Sequence, residues 1–166
     1  DGGENLTPEP KAAIMHAAQT YAMPQSTTHP DRFVDDRATA DERTYTIFQH
    51  LVGMANMVSG VPLIGLIATL IMWQVKKSPS PYLDDHGREA MNFQISLLIY
   101  TIAGSIVIAI LGVITLGVGL LLFPLGGVFL IVIQLIGCIR GAMAADRGEY
   151  YRYPMTIRVL PDKAVA

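Results

Sequence analysis

AMNFQISLLIYTIAGSIVIAILGVITLGVGLLLFPLGGVFLIVIQLIGCI, residues 90–139, is a run of 50 residues without one Asp, Glu, Lys or Arg. As helix it would extend roughly 75 Å, two bilayer crossings back to back. A water-soluble helix needs a polar face, and Phe93 to Cys138 reads apolar all round, so the surrounding medium is lipid. Gly112, Gly117, Gly119 and Pro124 with Gly126–Gly127 interrupt the run where a hairpin must turn. This predicts one helix at about 86–114 and an antiparallel partner at about 121–145. Ala103, Gly104, Ser105, Ala109 and Gly112 form a small-residue face on the first, suited to close helix packing in lipid.

Upstream lies a second apolar block, Tyr45 to Val75, too long for one simple span and too short for two. Ser59-Gly60-Val61-Pro62 in its middle puts Gly where a helix end wants a left-handed residue and Pro where the next helix begins. A helical hairpin is expected, with arms of about 15 residues, roughly 22 Å, which dips into the bilayer, thins it or tilts; one kinked span is the alternative. The fold class is therefore all-α, an integral membrane helical bundle. Two full transmembrane helices form a hairpin preceded by a short helical hairpin, three to four membrane helices in all. The chain divides into a polar N-terminal tail (1–44), a helical membrane domain (45–146) and a C-terminal tail (147–166).

Composition agrees. Charged residues make up 16% of the chain and mean hydropathy is +0.39, so one membrane domain accounts for most of it. A net charge of −2, with no extended basic face, argues against nucleic acid as a partner. The lone Cys138, inside an apolar helix, acts as a small hydrophobe and does not report the redox compartment. Asp1 is not an initiator methionine, so a short preceding piece is expected to be missing or processed, with no sign of a cleaved secretory signal.

Lys76, Lys77, Arg88, Arg140, Arg147 and Arg152 flank the helix ends, with Arg32, Arg37 and Arg43 before the first block, so these ends and both tails are expected on the cytoplasmic side of a bacterial inner membrane. Trp73, Tyr82, Tyr150, Tyr151 and Tyr153 stand at the same ends and are expected to anchor depth in the headgroup layer. In the tail, Thr7 can cap a short helix carrying Ile14, Met15, Ala18 and Tyr21 and ending before Pro24. Near the other end, Met155, Ile157 and Val159 alternate with Thr156 and Arg158, as in an extended segment.

The densest polar cluster is Asp84, Asp85, His86, Arg88 and Glu89, after Pro79 and Pro81. A metal or proton role is conceivable, yet no second His or Cys cluster completes a ligand set. Helix capping by Asp84 or Asp85, Glu89 in a positive first turn and local pairing of Arg88 is the plainer reading. Within the apolar blocks Gln49, His50, Asn56, Gln94 and Gln134 are costly in lipid unless they hydrogen-bond between helices, line a polar path or meet another subunit. A lone His50 is a poor reason to expect a pH sensor. No Walker loop, GxSxG, HExxH, CxxC or haem-ligand pair is present, so no catalytic residue, cofactor or metal is expected.

WQVKKSPSPYLDDHGREAMNFQISLLIY (73–100) and RGEYYRYPMTIRVL (147–160) resemble a bacterial family of small membrane proteins of unknown function, related to the magnetosome proteins MamF and MmsF and more distantly to the Tic import-channel component of the chloroplast inner envelope. The resemblance covers about residues 43–160. It rests on Trp73, Lys76, Lys77, Pro81, Tyr82, Asp84, Glu89, Asn92, Phe93 and Gln94, and on Arg147, Tyr151, Arg152, Tyr153 and Pro154, with His50 matching an early His–Leu step. It implies a helical membrane domain with short first helices and no established activity. Magnetosome members are linked to control of crystal growth, but no acidic mineral-binding run stands in the first tail and loop, so that role is not carried over. The expected function is a non-enzymatic accessory or scaffold subunit whose partners are the lipid bilayer and a larger membrane complex or a second copy. The alternative is an oligomeric translocation or channel component of the Tic type. A membrane enzyme using Asp84, Asp85, His86 and Glu89 would need a bound metal or a lipid-like substrate.

Overall fold

The computed structural model describes residues 34–77 and 80–161, so the expected helix after Thr7, and Pro79, lie outside the described residues. The described chain is helical; its one bridge of sheet type joins Val34 to Glu149.

The first helix, α1 (Ala40–Leu51), begins inside the stretch counted as tail, because Thr39 and Glu42 cap it reciprocally. Thr39 Oγ1 accepts from the Glu42 amide at 3.2 Å, and the Thr39 amide donates to Glu42 Oε2 at 2.8 Å. A single 3₁₀ turn, Val52–Met54, leads into the short α2 (Ala55–Ser59). Gly60 then takes φ 70°, and Pro62 opens α3 (Pro62–Lys76), the stop and restart expected of a hairpin. Ser59 Oγ donates to the Ala55 carbonyl at 2.7 Å and accepts from the Val61 amide at 3.2 Å. The tip thus satisfies much of its own backbone, as a turn away from water must.

The long hairpin follows as α4 (Pro81–Ile114, 34 residues) and α5 (Leu122–Asp146, 25 residues), joined through Leu116 and Gly117 at positive φ and a 3₁₀ turn, Val118–Leu121. Its start corrects the expected one. Extended Ser80 and Pro81 at the first helical position launch α4 about a turn before His86, so Asp84 and Asp85 lie inside the helix and do not cap it.

The core is offset to one end of the bundle. The first half of α4, from Tyr82 to Leu97, is buried almost all round, with α1 and the last turns of α5 on one side, α3 on another and residues 149–161 laid along a third. Beyond it the two long helices run on to their turn, with Ile108 of α4 beside Gly126 of α5. Of the most apolar stretch of each, only 11% is buried in the protein, leaving the rest to lipid. Of the glycines on the small-residue face, Gly104 has open space where a Cβ would stand, and Gly112 packs against Leu120 at the turn.

Candidate functional site: a buried polar core

The most deeply buried large side chains are mostly polar. Thr46, Gln49, His50, His86, Glu89, Asn92 and Ser96 are each no more than 1% exposed, and lipid gives such groups no partners, so the protein must.

At the centre stands His50, brought in by the last turn of α1. Its Nδ1 is 2.7 Å from Tyr153 Oη, and its Nε2 is 2.9 Å from His86 Nδ1 on α4, a row of three groups with one shared proton per gap. Gly141 of α5 makes room: a Cβ there would stand 2.8 Å from His50 Nδ1 and 3.0 Å from Tyr153 Oη. His50 is therefore no lone histidine but the joint of α1, α4 and the C-terminal segment. Aromatic rings close the space around it, with Phe93 stacked on Tyr153 at 4.0 Å between centroids and Tyr82 set 4.5 Å from His86.

The carboxylates near this row are occupied. Asp84 accepts from Trp73 Nε1 at 2.9 Å and from Arg88, one helical turn on, at 3.2 Å. Asp85 takes both Arg152 nitrogens, at 2.6 and 2.7 Å. Glu89 Oε1 accepts from the Tyr153 amide at 2.8 Å, with Arg158 Nε at 3.9 Å from its other oxygen. The local Arg88 pairing is as the sequence suggests; the rest are long-range ties. Lys77 and Arg88 sit over the Trp73 ring at 5.5 and 5.6 Å, which gathers the cationic ends of α3 and α4 together. Lys76 sits over Tyr45 at 5.9 Å.

Trp73, Tyr82 and Tyr153, expected to face the headgroup layer, are packed inside the protein. They are 8%, 1% and 4% exposed, because each has a polar partner inside; Tyr82 Oη, for one, donates to the Ala145 carbonyl at 3.0 Å. Tyr150 donates to Asp35 at 2.9 Å, and burial together with that carboxylate pushes its phenol above the usual range. Pro154 and Arg147 of the C-terminal signature are exposed, Arg147 pairing with Glu149 at 2.9 Å.

One layer further into the bundle, Asn56 Nδ2 donates to Gln94 Oε1 at 3.3 Å while its Oδ1 accepts from the Gly65 amide at 2.6 Å. Gln134 Nε2 donates to the Gly53 carbonyl at 2.6 Å. These are the helix-to-helix hydrogen bonds that the intramembrane polar residues predict. Gln49 packs against Gly87, with its Oε1 unpartnered.

The sequence reading missed what residues 155–161 pair with. Arg88, Asn92, Ser96 and Tyr100 recur every four residues on one face of α4, and each reaches this extended segment. Tyr100 Oη donates to the Met155 carbonyl at 2.6 Å, Ser96 Oγ accepts from the Ile157 amide at 2.8 Å, and Asn92 exchanges two bonds with Leu160 at 2.8 and 3.0 Å. Arg88 donates to the Pro161 carbonyl at 3.1 Å. The four-residue period was the available signal.

Among the described residues no three His, Cys, Asp or Glu side chains group as a metal ion requires. The arrangement is a set of ties holding the short hairpin, the long hairpin and the C-terminal segment in one body. No curated protein and no solved structure shows significant similarity to the chain. A family model does match, over residues 41–160, most of the length and both motif segments. The chain belongs to the MamF/MmsF family, the magnetosome magnetite crystal formation protein family.

Proposed function

We propose that this protein is a non-enzymatic accessory or scaffold subunit of a larger membrane assembly. One observation carries the reading: most buried polar side chains are bonded within the chain, while the outer halves of α4 and α5 leave nearly all their apolar surface free for lipid or for other membrane helices. Family membership supports magnetosome formation as the process to test. The part played there is organisation of the membrane rather than contact with mineral, since Asp84, Asp85 and Glu89 are turned to Trp73, Arg88, Arg152 and Tyr153. The Lys/Arg-rich end belongs on the cytoplasmic side of a bacterial inner membrane by the positive-inside rule. The channel alternative draws less support, because Gln94, Asn56, Gln134 and His50 bond one another or the backbone and line no path.

The test is a gentle-detergent pull-down from the native membrane, read by native mass and by the identity of what accompanies the chain. A defined complex of larger proteins is the expected result. Recovery as a lone monomer would overturn the scaffold reading, and a pure homo-oligomer that passes ions in vesicles would replace it with the channel.

A further inference from the structure

We propose that residues 154–161 re-enter the bilayer from the Lys/Arg-rich end as an extended strap, with Met155, Ile157 and Val159 facing lipid acyl chains. The segment counted as a tail in water is then part of the protein's lipid surface.

Depth is fixed by contacts between the long helices. The outer surface of α5 carries no charge from Leu122 to Ile139, about 27 Å of helix, so the hydrocarbon boundary falls near Arg140. Phe93 of α4 lies against Gly137, which levels Arg140 with about residue 90 of the antiparallel α4. Asn92, Ser96 and Tyr100 then sit about 3, 9 and 15 Å inside the boundary by helical rise. The strap rides on those three side chains. From Tyr153, tied to Glu89, the chain descends to a turn at Pro154–Met155, where Met155 takes φ 60°, and returns past Ser96 and Asn92 to Pro161 beside Arg88.

Non-helical backbone at membrane depth persists only where its polar groups are met within the protein. The ladder on α4 meets the Met155 carbonyl, the Ile157 amide and both Leu160 groups, and the Val159 amide donates to the Ile157 carbonyl at 3.1 Å. Met155, Ile157 and Val159 are 66%, 41% and 53% exposed, beside a half-exposed Arg158. Arg158 is the one charge, and its guanidinium leans to Glu89, toward the boundary, as a snorkelling arginine does.

Single cysteines at 155, 157 and 159, in the full chain with Cys138→Ala, would carry spin labels in vesicles of phosphatidylcholine and phosphatidylglycerol. Labels at Ile106 on the lipid belt and at Asp146 at the polar end are the references. The expected result is collision with oxygen in preference to a water-soluble nickel chelate, as at Ile106, and deepening from 159 to 155. Nickel access equal to that at Asp146 would overturn the proposal in favour of a strap in water. Shielding from both reagents would overturn it in favour of a covering protein, a second copy or another. Adding Asn92→Ala and Ser96→Ala should turn the label at 157 toward nickel, and no change would mean the ladder does not hold the strap. Hydrogen exchange on the unmodified chain in the same vesicles guards against damage by labelling. Slow exchange at Ile157 and Leu160 is expected, and exchange at the free-peptide rate would overturn the placement.

Discussion

His50 is one imidazole in contact with three separate parts of the chain, and its neighbours were chosen to fit nothing larger. Replacing it by alanine strands Tyr153 Oη and His86 Nδ1 in a buried site, a loss of about 2–4 kcal/mol. Thermal unfolding in detergent should show the drop, and an unchanged midpoint would mean the row is incidental. Gly87 gives a second handle, because a Cβ there would strike Trp73 and stand 2.6 Å from Gln49 Nε2. Gly87→Ala should displace Trp73 from Asp84, destabilise by about 1–3 kcal/mol and shift the emission of the chain's single tryptophan, whereas Gly104→Ala should do neither. The sequence marked His50 as a polar residue needing a partner, placed His86 in the charged cluster at the start of the long helix and read Tyr153 as an interfacial anchor. That they are each other's partners was not legible, since 36 and 103 positions separate them from His50 and nothing local encodes the meeting.

Among elements, the hairpins were legible because their signals are local: Gly60 before Pro62, and glycines between two uncharged runs. The starts of α1 and α4 were not, since Thr39 with Glu42 and Ser80 with Pro81 precede the hydrophobic stretches by which the spans were measured. The cap of α1 can be tested alone. Thr39→Ala should cost about 1 kcal/mol, seen as faster amide exchange in the first turn of α1. Burial pushes the Glu42 carboxyl up, but hydrogen bonds from Ser80 and Thr39 outweigh it and hold the group below its ordinary 4.5. A carboxyl lowered in the folded state lends stability above its unfolded value and withdraws it as pH falls through the folded one. Protection of the first turn should therefore hold from pH 7 to about 5 and decline below about 4.5. Decline beginning near neutrality would point to another group.

For the whole molecule, hydropathy predicts that it lives in lipid and says little about what holds it together, because apolar packing between membrane helices gains no hydrophobic drive. Cohesion falls to the polar ties at one end, and residues 149–161 contribute many of them. Ending the chain after Gly148 removes the Tyr153 partner of His50 and the partners of Asp85, Glu89 and Asn92 at once. The truncated protein should still insert, since both spans remain, yet should unfold at least 10 °C lower in detergent and admit trypsin at Arg43 and Lys77. Unaltered resistance would show that the helices cohere without the strap.

That arrangement has a consequence for how the protein is made. Tyr153 follows both long helices in the chain, so until it docks, His50 Nδ1 and Glu89 Oε1 lack their final partners and the young bundle is unsealed. Folding closes only when the last segment threads back against a helix laid down some 60 residues earlier. A bulky fusion placed just behind Leu160 would meet this final step, while one placed ahead of Val34 would not.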